Sequence, residues 1–395
     1  MEEEKPWALI SEVGGPHGYL EELADIVKQH FQIVCYKDFL QNPVLHGSKI
    51  QVLLSWKYCP AAKPWLLRLL PCLKVVASGG VGIDHLDVPF INRLGAKVAN
   101  TPGVVSDATA DLAMGLLLAS ARNILEGHQI ATDPKTVHIP QNLMGVEVTR
   151  ATLGIIGMGE IGYKIAQRSK GFEMKVMYHK RTRRSTEDEQ AVGASYCENL
   201  DDLLRCSDFV MIAVNLTSET SGLIGHRELS LMKPTATLIN ISRGLVVNQD
   251  ALLEALQSGT IRAAALDVTH PEPLPRDHPL LELPNILITP HIGISTITTA
   301  RGMVKKMVEN ALAGVKGLPV PNEVSRPDQA LLLTASLHTP WHSARPLCLL
   351  SPLPLLGSDA SNVPRGRGIF PKAMSLAHGA SQLCSPTPVL HRMSR

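Results

Sequence analysis

The stretch Leu153-Gly154-Ile155-Ile156-Gly157-Met158-Gly159-Glu160-Ile161-Gly162 decides how the chain is read. An apolar run leads into three glycines spaced G-x-G-x-x-G, and a segment of helical period follows to Lys170. In a strand–turn–helix unit each glycine has a task. Gly157 permits the tight turn, Gly159 lets the backbone approach a pyrophosphate, and Gly162 allows the helix to pack close to the sheet. The start of the helix offers unpaired N–H groups to the anion, which makes Gly157, Gly159, Glu160, Ile161 and Gly162 candidate dinucleotide contacts. The triplet alone is a weak signal. Its place between a strand and a helix separates it from a bland glycine-rich turn.

The next strand, Lys175–Tyr178, bears on the choice of cofactor. An NAD-binding unit carries Asp or Glu at this strand's end, accepting from the ribose 2′-hydroxyl. Here the chain continues His179-Lys180-Arg181-Thr182-Arg183-Arg184, with four Lys and Arg residues and no carboxylate. A 2′-phosphate is favoured by charge-assisted hydrogen bonds, above all from Arg181 with Lys180 and Thr182 beside it. NADPH is therefore expected over NADH. The alternative is a solvated basic loop balanced by Glu187-Asp188-Glu189.

Outward from this unit the same grammar repeats. On the N-terminal side Trp7–Ile10, Ile33–Tyr36, Val52–Ser55, Val75–Ser78 and Lys97–Asn100 read as strands, with helices at 18–30 and 86–94. On the C-terminal side strands are expected at Phe209–Val214, Thr237–Ile241, Ala263–Val268 and Ile286–Thr289, with helices at 200–206, 249–257 and 298–315. Near-continuous apolar strands alternating with helices indicate parallel sheets covered on both faces. Ser106 is the expected N-cap of a helix that is apolar nearly all round from Ala108 to Ala121 and ends near Gly127. The fold expected is α/β: two doubly wound parallel-sheet domains with a cleft between them. Residues 1–122 and 293–324 form the first domain and 123–292 the dinucleotide domain. Crossings near 120–127 and 293–298 act as the hinge.

Composition narrows the function class. The chain has 395 residues, 45% hydrophobic and 19% charged, ordinary for a globular protein. Seven basic residues against two acidic give 325–395 a net charge of +5, leaving the rest at −3. A mildly acidic body argues against a nucleic-acid surface. No apolar run approaches the roughly 18 residues a membrane span needs. The acidic start, Met1-Glu2-Glu3-Glu4-Lys5, is unlike a signal peptide. Seven cysteines without a Cys-x-x-Cys pair read as reduced thiols of a cytosolic protein, with no metal site indicated. The last 71 residues hold nine prolines and ten serines without a consistent period, and are expected to be a disordered tail.

Ligands in open parallel sheets bind beyond the carboxyl ends of the strands. Three polar residues fall there: Arg243, Glu272 and His291. A guanidinium grips a carboxylate and polarises a neighbouring carbonyl, an imidazole delivers a proton to a nascent alkoxide, and a carboxylate beside the imidazole favours its charged form. Singly each has a plain structural explanation, and only their convergence in one crevice makes a site.

From about Gly14 to Val324 the chain resembles the D-2-hydroxyacid dehydrogenase family, most of all its glyoxylate/hydroxypyruvate reductase branch. The resemblance rests on Gly79-Gly80-Val81-Gly82-Ile83-Asp84, Asn100-Thr101-Pro102-Gly103, the glycine turn, Asn240-Ile241-Ser242-Arg243-Gly244, Asp267-Val268 with Pro271-Glu272-Pro273, and Pro290-His291-Ile292-Gly293. It implies a flavodoxin-like substrate domain with a Rossmann dinucleotide domain, and a catalytic set at Arg243, Glu272 and His291. It also implies substrate contacts from Val81 and Gly82 beside Arg243 and His291. Cofactor contacts follow from Asn215, Ile241, Asp267 and Gly293. A small 2-oxo acid substrate and a homodimer are likewise implied. The stretch 128–150 lacks the tryptophan many members carry there, and the tail has no counterpart. A dinucleotide-sensing corepressor of the same fold is the alternative, and the missing NAD-type carboxylate speaks against it.

Overall fold

The computed structural model describes residues 4–15, 18–138 and 140–324; the tail expected over 325–395 lies outside the described residues. Two parallel sheets are built in sequence order. The first comprises β1 (Trp7–Ile10), β2 (Gln32–Cys35), β3 (Ile50–Ser55), β4 (Val75–Ser78) and β5 (Lys97–Ala99), arranged β2-β1-β3-β4-β5. The second comprises β6 (Thr152–Ile156), β7 (Lys175–His179), β8 (Ala194–Tyr196), β9 (Phe209–Ile212), β10 (Thr237–Asn240), β11 (Ala263–Leu266) and β12 (Ile286–Ile288). Its order is β12-β11-β10-β9-β6-β7-β8. In each sheet the order reverses beside the first strand, the switch point at which doubly wound sheets open a crevice.

The strands read as apolar runs because both sheet faces are covered. β4, β9, β10 and β11 are buried at every residue. Two apolar clusters sandwich the first sheet and two the second. Each fully buried Leu or Ile contributes about 1.5–3 kcal/mol relative to exposure. β11 is Ala263-Ala264-Ala265-Leu266, and its small side chains let the helix Ser106–Ala121 lie close over β10 and β11. That helix buries Ala110, Ala113, Met114, Leu117 and Ala121 in the cluster covering the second sheet. By packing it travels with β6–β12, so the chain crosses between the sheets ahead of it and not near 120–127 as expected.

Two local expectations change here. Ser106 does not cap; it is the first helical residue, and its hydroxyl donates to Glu160 Oε2 at 3.1 Å. The helix also stops at Ala121 and not near Gly127, because Asn123 takes a left-handed backbone (φ 51°) and a second helix starts at Ile124–Thr132.

The helix Ile297–Val315 returns to cover β4. Buried Asn310 ties this return in place, donating to Asn100 O at 3.0 Å and accepting from Asn322 N at 3.1 Å. Glu323 then bridges to Ala99, and Lys97 Nζ lies 2.8 Å from its carboxylate. Among the described residues no helix is long and apolar enough to cross a membrane.

Candidate active site

Register places the loops. Ile156 pairs with both His179 and Ile212, and Asn240 with both Ile212 and Leu266, so these strands end at one level. The chain leaves that edge at Gly157, Lys180, Ala213, Ile241, Asp267 and Thr289, where the candidate residues cluster.

The glycine turn has the form that its spacing predicts. Gly157 is left-handed (φ 100°), and a Cβ there would stand 2.5 Å from Ala213 O. A Cβ on Gly162 would stand 2.2 Å from Gly157 O. Around Gly159 there is open space, and the helix Glu160–Ser169 begins at once. An exposed backbone at the positive end of a helix fits a pyrophosphate. Ile161 lines a cavity of about 310 Å³ together with Val81, Gly82, Asn215, Ile241 and Arg243.

In the basic turn the cations divide. Arg183 pairs with Glu189 at 2.7 Å, and Tyr178 donates to the same carboxylate at 2.7 Å. Those hydrogen bonds, Arg183 first, pull the Glu189 carboxyl down to about 2. Arg184 pairs with Asp188 at 2.8 Å, donates to Met158 O and Gly159 O at 2.9 and 3.2 Å, and lies over the Tyr163 ring. The side chains of Lys180 and Arg181 form no hydrogen bond or ion pair among the described residues. Thr182 stands between the two groups. The acidic run after the turn thus pairs with Arg183 and Arg184 and not with Lys180 or Arg181.

Arg243 leaves the end of β10 and crosses to the first sheet's loops. Its Nε donates to Asp84 Oδ1 at 2.9 Å and its Nη1 to Ser242 O at 2.8 Å. Nη2 presses on the backbone of Gly82, where a Cβ would stand 1.7 Å away. Only glycine lets the guanidinium lie flat against this loop. Asn100 Nδ2 donates to Val81 O at 2.8 Å and Gly80 N to Thr101 Oγ1 at 2.8 Å, which pins the loop.

His291 Nδ1 lies 2.8 Å from Glu272 Oε2, and Thr269 N donates to Glu272 Oε1 at 3.1 Å. An ionised carboxylate only accepts, so Nδ1 carries the proton of that bond and Nε2 is left for another group. Among the described residues Nε2 has no hydrogen-bond partner. His291 is itself left-handed (φ 55°), a strain held by buried Asp267. The Asp267 carboxylate accepts from Thr289 Oγ1 at 2.7 Å, Ile292 N at 2.8 Å and Gly293 N at 2.9 Å. Asp267 and Gly293 therefore meet each other beneath the His291 loop.

Arg243 and Glu272 line one chamber with Tyr58, and the Tyr58 ring lies 6.2 Å from that of His291. The crevice thus gathers the three residues that strand topology singled out. Sequence reasoning missed Tyr58 altogether, and it quoted Asp84 within a motif without a role. It also missed Arg184, which the run of cations hid. An acidic residue two places after the Gly82 loop was the available signal for Asp84; Tyr58 had none.

Comparison with known proteins gives one family match. Residues 114–293 match the D-isomer specific 2-hydroxyacid dehydrogenase, NAD binding domain. A glyoxylate reductase of Aeropyrum pernix is 43% identical over 266 residues, 66% of this chain and 79% of that protein. A glyoxylate reductase of Korarchaeum cryptofilum is 38% identical over 310 residues, 76% of this chain and 91% of that protein. Among solved structures, the NADPH-dependent glyoxylate/hydroxypyruvate reductase of Sinorhizobium meliloti, in complex with NADP and malonate, superposes with a TM-score of 0.71. It is 27% identical, covering 82% of this chain and 97% of that one.

Proposed function

Since the chain belongs to the D-isomer specific 2-hydroxyacid dehydrogenases, a family of oxidoreductases acting on small 2-oxo acids, we propose that it reduces an acid of the glyoxylate or hydroxypyruvate type to the D-2-hydroxy acid, with NADPH preferred to NADH. The observation that carries this is the meeting of Arg243 with the Glu272–His291 pair beside a cavity whose far wall is Ile161, Asn215 and Ile241.

Gly157, Gly159 and Gly162 would hold a dinucleotide at its pyrophosphate, Lys180, Arg181 and Thr182 would meet a 2′-phosphate, and Asn215 and Ile241 would meet the nicotinamide. When bound, it supplies the hydride. Val81 and Gly82 N–H groups and Arg243 Nη2 hold the substrate carboxylate. A preorganised donor aimed at the C2 oxygen, where charge develops, is worth roughly 3 kcal/mol. His291 Nε2 delivers its proton to the oxygen on C2, and Glu272, accepting from Nδ1, keeps the imidazole turned toward it. Asp267 and Gly293 hold His291 in place. The lobes close over the substrate and exclude water. Lys180 and Arg181, which the acidic run does not pair, support NADPH.

We also read the protein as a cytosolic homodimer. The helix Ile124–Thr132 buries none of its residues and exposes Ile124 and Leu125, as the following segment exposes Val137 and Met144. Such a patch supports pairing with a second copy.

The test is His291→Ala. Turnover of glyoxylate and hydroxypyruvate falls about 10³-fold, within the range for loss of a general acid, while NADPH titration by fluorescence is nearly unchanged. Unaltered turnover refutes the assignment.

A further inference from the structure

Next to the cavity at the reacting centre is a second chamber of about 190 Å³, which shares Asp84, Leu216 and Arg243 with it as lining. Tyr58, His85 and His270 bring polar side chains to its wall, and Leu245 an apolar one. We propose that this chamber receives the part of the 2-oxo acid beyond C2. In it the Tyr58 hydroxyl donates to a hydroxyl on C3, making the preferred substrates uncharged-chain hydroxylated 2-oxo acids of three carbons or more. The inference rests on the reductase reading given above.

Position is the first argument. The chamber holds Arg243 and Glu272, and Tyr58 stands edge-on 6.2 Å from His291. A substrate with its carboxylate on Arg243 and its carbonyl oxygen at His291 has this side open for its third substituent. In glyoxylate that substituent is a hydrogen, which leaves the chamber empty.

Preorganisation is the second. Trp56 and Cys59 exchange backbone hydrogen bonds of 2.8 and 2.9 Å, closing a turn in which Lys57 and Tyr58 are both left-handed. The Tyr58 ring meets His85 edge to face at 4.7 Å, and His85 Nε2 is 3.3 Å from Ser78 Oγ. The aromatic side chain is thus aimed by the turn and backed by a second ring.

Chemistry is the third. The Tyr58 hydroxyl has no hydrogen-bond partner among the described residues, so its donor capacity is unspent. Burial pushes the phenol up despite Arg243, and Asp84 and Glu272 push it further the same way, so it keeps its proton. Burial likewise pushes His85 down to about 4, so the ring behind Tyr58 is neutral near pH 7. With Asp84 and Glu272 present and Arg243 already committed to the substrate carboxylate, a second anionic group is poorly matched here. A neutral hydroxylated chain is well matched, and at 42% exposure Tyr58 leaves room for a longer one to run outward.

Steady-state kinetics on the full chain with NADPH test this through Tyr58→Phe, which keeps the ring and removes only the hydroxyl. The wild-type kcat/KM for hydroxypyruvate exceeds that for glyoxylate by about tenfold or more. In the variant that ratio falls about tenfold, the scale of one lost hydrogen bond. Pyruvate, with a methyl group on C3, gains on hydroxypyruvate by a similar factor. In binding titrations on the NADP-loaded protein, D-glycerate weakens relative to glycolate, and the unchanged Tm of the variant excludes misfolding. A ratio that does not move, or a wild type that prefers glyoxylate, overturns the subsite and leaves the reductase reading standing. A wild type that reduces neither acid with either nicotinamide cofactor removes both.

Discussion

Arg243 and Arg181 illustrate two ways a cation can be placed. Arg243 is half-buried, fixed by Asp84 and Ser242, and set against a glycine that yields it space. Burial draws its pKa down, but Tyr58, Asp84 and Glu272 outweigh that and raise it, so it stays charged throughout the working pH range. Arg181 is exposed, and its charge adds to the Thr217 hydrogen bond that holds the Glu219 carboxyl below its usual range. Arg181→Ala should weaken NADPH by about ten- to a hundredfold, the scale of one or two charge-assisted hydrogen bonds, and leave NADH almost untouched. Dissociation constants for the two cofactors, measured side by side, check this. Equal losses would undo the cofactor argument.

At the scale of elements, the first βαβ unit of the second sheet is the most constrained. Gly162→Ala drives a methyl group to 2.2 Å from a backbone oxygen that cannot retreat without moving the turn. A stability loss of about 1–3 kcal/mol is expected, together with weaker binding of NADPH and NADH alike. Urea denaturation and cofactor titration would show both, and a fully stable variant would contradict the packing. This unit was legible because strand, turn and helix each carried a signal, and so were the strands that ring it. Their ends were not. The apolar runs at Phe209–Val214 and Ala263–Val268 continue past the ladders at Ile212 and Leu266. Ala213 and Val214 stay apolar where they line a cavity, and Val268 is buried beyond Asp267, whose carboxylate is instead spent on the His291 loop. β8 escaped notice because Ser195 interrupts its three residues and leaves no apolar run to read. Topology put Arg243, Glu272 and His291 at strand ends from which they could converge, whereas the position of Tyr58 depends on two left-handed residues that no side-chain pattern announces.

For the whole molecule, the exposed helix Ile124–Thr132 makes association testable. Leu125 is 52% exposed and Met144 is 76% exposed. Leu125→Glu should convert a sedimenting dimer to monomer, since a stable interface buries about 1,200–2,000 Å² and tolerates no unpaired charge at its apolar centre. A wild type that sediments as a monomer would remove the premise. The two sheets have a tie of their own as well. Arg243 extends from the second sheet and Asp84 from the loops of the first, so their 2.9 Å pair is a fastener across the crevice. The same guanidinium is asked to be both a clasp and a tool. Parting the lobes undoes the clasp, which engages two of the guanidinium nitrogens and leaves the third beside Gly82. The latch is thus shut without any acid in place, and one nitrogen is spared by it.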